Sequence, residues 1–277
     1  MITLFVGAGY TGARVLARLP DAVALGRSRA GDERLDLDRD ERLRLTLPER
    51  YAVIYSVPPA SDQPGDPRLA RFLAMLPHPP LRIVYLSTTG VYGNRDGGQV
   101  DEKSEPLPES ARAERRLAAE RLLAEWCTGR GTTAIVLRVP GIYGPGRLGT
   151  EGLRSAMPVL REEDANPGNR IHVDDLATCC IAALSPDVPD GIYNVGDGDH
   201  RSGSWFTNEV ARQAGLPPPP AISMAEAQHT FSPMRLSFLR ESRVVDTAKM
   251  REVLGVTPKY ADAADGIAAS LREEQTL

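Results

Sequence analysis

The sequence predicts an α/β fold in which a doubly wound parallel sheet carries a smaller C-terminal lobe. Three observations predict it. An apolar run, Ile2–Val6, leads directly into the turn Gly7-Ala8-Gly9-Tyr10-Thr11-Gly12 and then into a helical pattern. Strand-like and helix-like segments alternate through the first half of the chain. After residue 145 that alternation gives way to stretches rich in Gly, Pro and charge. Alternation of this kind implies parallel strands covered by helices on both faces.

In chain order, apolar strand signals fall at Ile2–Val6, Ala22–Leu25, Val53–Val57, Ile83–Ser87 and Thr133–Val139. Helical patterns lie between them at Thr11–Leu19, Pro67–Leu76 and Glu109–Trp126. The last of these has a charged face, with Glu120 and Glu125 among arginines, as expected of a solvated helix with i,i+4 pairs. An apolar helical stretch, Leu176–Leu184, and a short strand, Ile192–Val195, follow. Pro217–Pro220 ends a helix, and late helical patterns occupy Asp246–Leu254 and Ala261–Leu271. The expected division is a sheet domain of residues 1–144, with 169–197 returning to it, and a smaller lobe of 145–168 and 198–277.

The 277 residues carry a net charge of −4, which argues against a nucleic-acid partner. No apolar run approaches the roughly 20 residues that span a membrane. The chain enters a strand at once, without the basic-then-apolar pattern of a secretory signal, so a cytoplasmic protein is expected. The three cysteines, Cys127, Cys179 and Cys180, form no metal or disulfide pattern and read as small buried residues. Asp197-Gly198-Asp199-His200 reads as a turn before a helix, not as a metal site.

Strand, glycine turn and helix in succession point to a bound dinucleotide. Gly7 allows the tight turn, Gly9 lets a pyrophosphate approach the backbone, and Gly12 lets the helix pack on the strand. The helix N-terminus adds free N–H groups for phosphate. An acidic residue about 20 positions on normally reads the ribose 2′-OH of NAD. Here the second strand runs into Gly26-Arg27-Ser28-Arg29, with no carboxylate before Asp32. Arg27 and Arg29 suit a 2′-phosphate and Ser28 adds a hydroxyl, so NADP is favoured over NAD. The same arginines also read as solvated loop residues.

These segments, in their order and spacing, resemble the extended and atypical short-chain dehydrogenase/reductases, the NAD-dependent epimerase/dehydratase family. The likeness covers nearly the whole chain. The Gly7–Gly12 turn matches the glycine motif in the form GxGxxG, where GxxGxxG is commoner. Asp36-Leu37 fits the pair that touches adenine, and Ser56-Val57-Pro58 the segment passing the cofactor. Ser87–Gly93 resembles the SSxxVYG segment, and Arg138–Gly146 the RxxxxYGPG segment near the nicotinamide. Arg170–Asp175 resembles "IHVDD", Tyr193–Gly196 "YNVG", and Arg243–Leu254 the late segment that closes over substrate. The resemblance implies a Rossmann-like domain, a cofactor touched by Tyr10, Thr11, Arg116 and Pro140 besides the residues above, and a homodimer built through helices near Glu109–Trp126.

The sequence departs from the family at its reaction centre, a Ser/Thr with Tyr-x-x-x-Lys. The Ser/Thr survives as Thr88. Aligning Leu117–Glu120 puts Arg116 at the Lys position and Arg112 at the Tyr position. Arginine stays protonated and cannot shuttle a proton near neutral pH. Tyr92 becomes the candidate proton carrier, with Tyr143 behind it. Arg112, Tyr143, Arg147 and Arg243 become candidate substrate contacts, with Arg235 and Arg240 able to meet a phosphorylated group. Asp174 and Asp175 read as helix caps, and His172 as a structural histidine. The expected function is an NADP-dependent oxidoreductase or epimerase-like enzyme acting on a small polar or nucleotide-sugar-like substrate. A non-catalytic NADP(H)-binding sensor is the alternative.

Overall fold

Apolar β-branched segments and glycine turns build the centre of the molecule. The computed structural model describes residues 2–27 and 33–276, so Ser28 and Arg29 lie outside the described residues. Seven strands form one sheet: β1 (Ile2–Val6), β2 (Ala22–Gly26), β3 (Glu33–Arg34), β4 (Tyr51–Tyr55), β5 (Arg82–Thr88), β6 (Thr133–Val139) and β7 (Gly191–Asn194). Their order across the sheet is β7-β6-β5-β4-β1-β2-β3, and every pairing is parallel. This is a Rossmann-like sheet. The order reverses between β1 and β4, and sheets of this kind take ligands at such a switch, beyond the carboxyl ends of the strands.

Alternate side chains enter two cores. Leu4 and Val6 of β1 join Val53 of β4 and Tyr85 of β5 on one face, beneath helices α2 (Pro67–Met75) and α3 (Ala111–Cys127). Phe5, Ile54 and Val84 point to the other face, beneath α1 (Tyr10–Leu16) and α5 (Val173–Ala182). Cys179 and Cys180 lie buried in that second core as free thiols, and Cys127 is free and buried in the first.

The remaining chain stands over the carboxyl edge of the sheet. It contains α6 (Gly203–Gln213), α8 (Pro233–Arg240) and α10 (Ala263–Glu274). Short parallel strand pairs tie it down: Gly141–Tyr143 with Arg170–His172, Val159–Leu160 with Ala221–Ile222, and Gln99–Val100 with Val244–Val245. The last pair brings the segment after α8 back to Gly93, whose carbonyl accepts from Arg243. No helix among the described residues is long and apolar enough to cross a membrane.

Candidate active site

Two cavities open along the carboxyl edge of the sheet. The first, about 330 Å³, is lined by Gly7, Gly9, Arg27, Leu37, Asp38, Ser56, Val57, Pro58 and Arg68, among others. Gly7 sits at φ +91°, and a Cβ there would stand 2.8 Å from Val57 Cγ2. The Ser56 hydroxyl donates to the Gly7 carbonyl at 2.7 Å, tying the end of β4 to the turn. Gly12 abuts the Phe5 ring, where a Cβ would lie 2.7 Å from Cε1. Gly9 differs from both, because the nearest atom to a Cβ built there is 3.9 Å away. One glycine makes the turn, one admits the helix, and one leaves backbone open to a ligand.

Charge gathers at the far end of this cavity. Arg68 donates to Asp38 from Nε at 2.7 Å and Nη2 at 2.6 Å, and from Nη1 to the Pro58 carbonyl at 3.1 Å. That pairing holds the Asp38 carboxyl below its ordinary pKa. Arg27 approaches Asp38 only to 3.7 Å and its side chain is 69% exposed, so its donors remain available. Sequence reasoning singled out neither Asp38 nor Arg68. Their pairing joins β3's exit to α2 across 30 residues, and no local pattern signals it. Leu37 lines the cavity, whereas the Asp36 carboxylate turns away and accepts from the Asp38 N–H at 3.1 Å.

The second cavity, about 480 Å³, is lined by residues of the sheet edge and of the lobe. Thr88, Arg112 and Pro140 line it together with Arg235, Phe238, Glu241 and Arg243. Thr88 closes β5, and its Oγ1 accepts the Gly90 N–H at 3.1 Å. A Cβ on Gly90 would lie 3.4 Å from Thr88 Oγ1 and 3.9 Å from the Ala113 Cβ, in ordinary contact with both, so Gly90 stands between Thr88 and the start of α3. Arg243 is buried, with Nη1 donating to the Gly93 carbonyl at 2.7 Å and Nη2 to Glu241 at 2.8 Å.

A buried ion pair fixes α3. Arg138 on β6 donates to Glu120 at 2.7 Å, and the Ser87 hydroxyl donates to the same carboxylate. Arg116, one turn earlier on α3, sends Nη1 to the Leu86 carbonyl at 2.9 Å, the Tyr85 hydroxyl at 3.0 Å and the Val57 carbonyl at 3.4 Å. It lines neither cavity and braces the strand ends between them.

Several residues marked in the sequence stand elsewhere. Tyr92 is fully buried and donates to Asn194 Oδ1 at 2.7 Å, with the Arg138 guanidinium over its ring. The cavity wall does not include it, which corrects its candidacy as proton carrier. Tyr143 packs edge-on against His172 and Phe206, and burial pushes its phenol pKa up. It belongs to the lobe core, not to a substrate surface. Tyr10 donates to the Pro145 carbonyl at 2.9 Å and carries the Arg147 guanidinium on its ring, so this pair lies outside both cavities. Thr11 is buried at the start of α1. His172, not the following aspartates, caps α5, its Nδ1 accepting the Asp174 N–H at 3.2 Å. Asp174 pairs with Arg18 at 3.1 Å, and Asp175 accepts the N–H groups of Lys259 and Tyr260.

Residues 68–196 match the model of the NAD dependent epimerase/dehydratase family. The match spans just under half of the chain. Protein YeeZ of Escherichia coli (strain K12) is 25% identical over 224 residues, 78% of this chain and 74% of that protein. A functionally unknown conserved protein from Silicibacter pomeroyi superposes with a TM-score of 0.80 at 29% identity, covering 98% of each chain. The structure of MoeE5 with UDP-glucose and NAD has a TM-score of 0.79 at 23% identity, covering 100% of this chain and 99% of that one. Within this epimerase/dehydratase frame, Arg112 and Arg116 occupy the helix positions where the resemblance places Tyr and Lys. Arg112 faces the second cavity and Arg116 the strand ends.

Proposed function

We propose that the protein is an NADP-dependent oxidoreductase or epimerase-like enzyme acting on a small polar molecule. The observation that carries this reading is the pair of cavities on one sheet edge, one bounded by the glycine turn and the other by Thr88. The open backbone at Gly9 fits a pyrophosphate. Leu37 and Ser56–Pro58 would flank the adenosine half, and Arg27, with its donors available, would take the 2′-phosphate. Pro140 and Thr88 would meet the nicotinamide end. When bound, the nicotinamide accepts or donates a hydride.

Thr88 would position the substrate oxygen. Its Oγ1 lone pair is used on the Gly90 N–H, which leaves the hydroxyl proton free to donate into the cavity. Removing a donor of this kind costs on the order of 100-fold in turnover. Thr88→Ala is therefore expected to lose hydride exchange while keeping its dinucleotide affinity. Unchanged turnover in that variant would remove Thr88 from the reaction.

One observation favours the sensor reading. Among the described residues, no Tyr, His, Lys or Cys lines the second cavity, and Glu241 is its one carboxylate. A sensor would bind NADPH and NADP⁺ with different affinities, because a ligand shifts an equilibrium only through differential binding. Equal affinities together with measurable turnover favour the enzyme.

A further inference from the structure

The second cavity contains an arginine without a partner. Arg112 makes no hydrogen bond and no ion pair among the described residues. Its guanidinium stacks on Phe238, 4.1 Å from the ring centroid. Stacking uses the face of the group and leaves the N–H edge free, the edge that matches a carboxylate. Partial burial, with Arg116, Arg115 and Arg243 adding repulsion, pulls the Arg112 pKa below its ordinary value, while Glu241 opposes this. Arg243 is 9% exposed, and its Nε is buried without a partner while both Nη groups are engaged.

The surroundings narrow the ligand. Glu241, already bound to Arg243, lines the same cavity and repels a group of higher negative charge. Leu160, Phe231, Phe238 and Leu239 supply an apolar surface. The anchor and the hydroxyl donor of Thr88 line this one cavity.

We propose that this cavity takes a small monocarboxylate with an apolar body, its carboxylate held by the free N–H edge of Arg112, with the positive charge of Arg243 close by. This rests on the reading of the cavity as the substrate side of the site. The position that the family resemblance gives to a proton-carrying tyrosine then serves as an anion anchor.

Calorimetric titration of the whole protein, with and without NADP⁺, tests this with benzoate and phenylpyruvate against benzamide, inorganic phosphate and UDP. A charge-assisted hydrogen bond predicts that the carboxylates bind about 10- to 100-fold tighter than benzamide. Arg112→Gln should remove most of that preference, and Arg112→Lys should restore part of it. Thermal midpoint and NADP⁺ affinity should stay unchanged in both variants. Benzamide binding as well as benzoate, no carboxylate binding, or full carboxylate affinity in Arg112→Gln overturns the proposal. UDP or phosphate binding tighter than the carboxylates, and displacing them, replaces it with a phosphate site. Failure of NADP⁺ to bind, with the carboxylate preference intact, counts against the cofactor reading alone.

Discussion

The two cavities share a sheet edge but are built by different means. The first is made from backbone. Gly7, Gly9 and the end of β4 shape it, and the hydrogen bond from Ser56 to Gly7 closes it. The second is made from side chains carried by distant segments, with Thr88, Arg112, Phe238 and Arg243 brought together only by the tertiary fold. The turn tolerates no side chain at Gly7, whereas a side-chain cavity can be re-equipped residue by residue. That difference fits a chain in which the glycine turn is intact while arginine stands where the family resemblance places Tyr and Lys.

The largest expected effect falls under the second cavity. Glu120→Ala leaves Arg138 charged, buried and unpaired, which costs about 3–5 kcal/mol. Urea unfolding should show that loss. A change within 1 kcal/mol, by the same measure, would mean that water reaches Arg138. A smaller effect is expected at the first cavity. Gly7→Val forces a β-branched residue to positive φ against Val57, costing about 1–3 kcal/mol from backbone strain alone. Dinucleotide binding should fall further than stability does. Retained binding would show that the turn does not shape the pocket.

The contrast also explains what the sequence made legible. The central sheet strands were readable because each holds a short apolar run buried on both faces, as at Tyr51–Tyr55 and Ile83–Leu86. β3 was not, since it is only Glu33–Arg34 and pairs at two positions with β2. The glycine positions of the first cavity were readable because their roles are local. Asp38 and Arg68 were not, because their contact depends on how α2 lies against the exit of β3. In the second cavity, Thr88 and Arg112 were found by motif spacing. Glu241 and Phe238 were missed, because no pattern marks which side chains of a late, exposed helix fold back over a strand end. Tyr92 and Tyr143 show the limit of motif reading, which gives identity but not direction.

Two finer predictions sharpen the comparison. Arg27→Ala should cut the preference for NADPH over NADH by roughly tenfold, about 1.4 kcal/mol, with no change in stability. An unchanged ratio in paired fluorescence titrations would move the 2′-phosphate contact elsewhere. The last prediction lies where the lobe leaves the sheet. Asp197 is buried beneath Pro140 and Asn169, and burial raises its carboxyl pKa to about 7. Its folded pKa stands above the unfolded value, so the folded state takes up a proton. That stability is full below about pH 4 and is lost as pH rises towards 7. Asp197→Asn should flatten the wild-type decline across this window, by at most about 1.4 kcal/mol per pH unit. Identical profiles for the two proteins would contradict the buried carboxyl.

The most direct measurement is a parallel titration of the purified protein with NADPH, NADP⁺ and NADH. Tight binding of both NADP forms, with NADH clearly weaker, is the predicted result. It would establish the glycine turn as a cofactor site read by Arg27. Failure of all three to bind would reduce the turn to a structural element and contradict the account at its base.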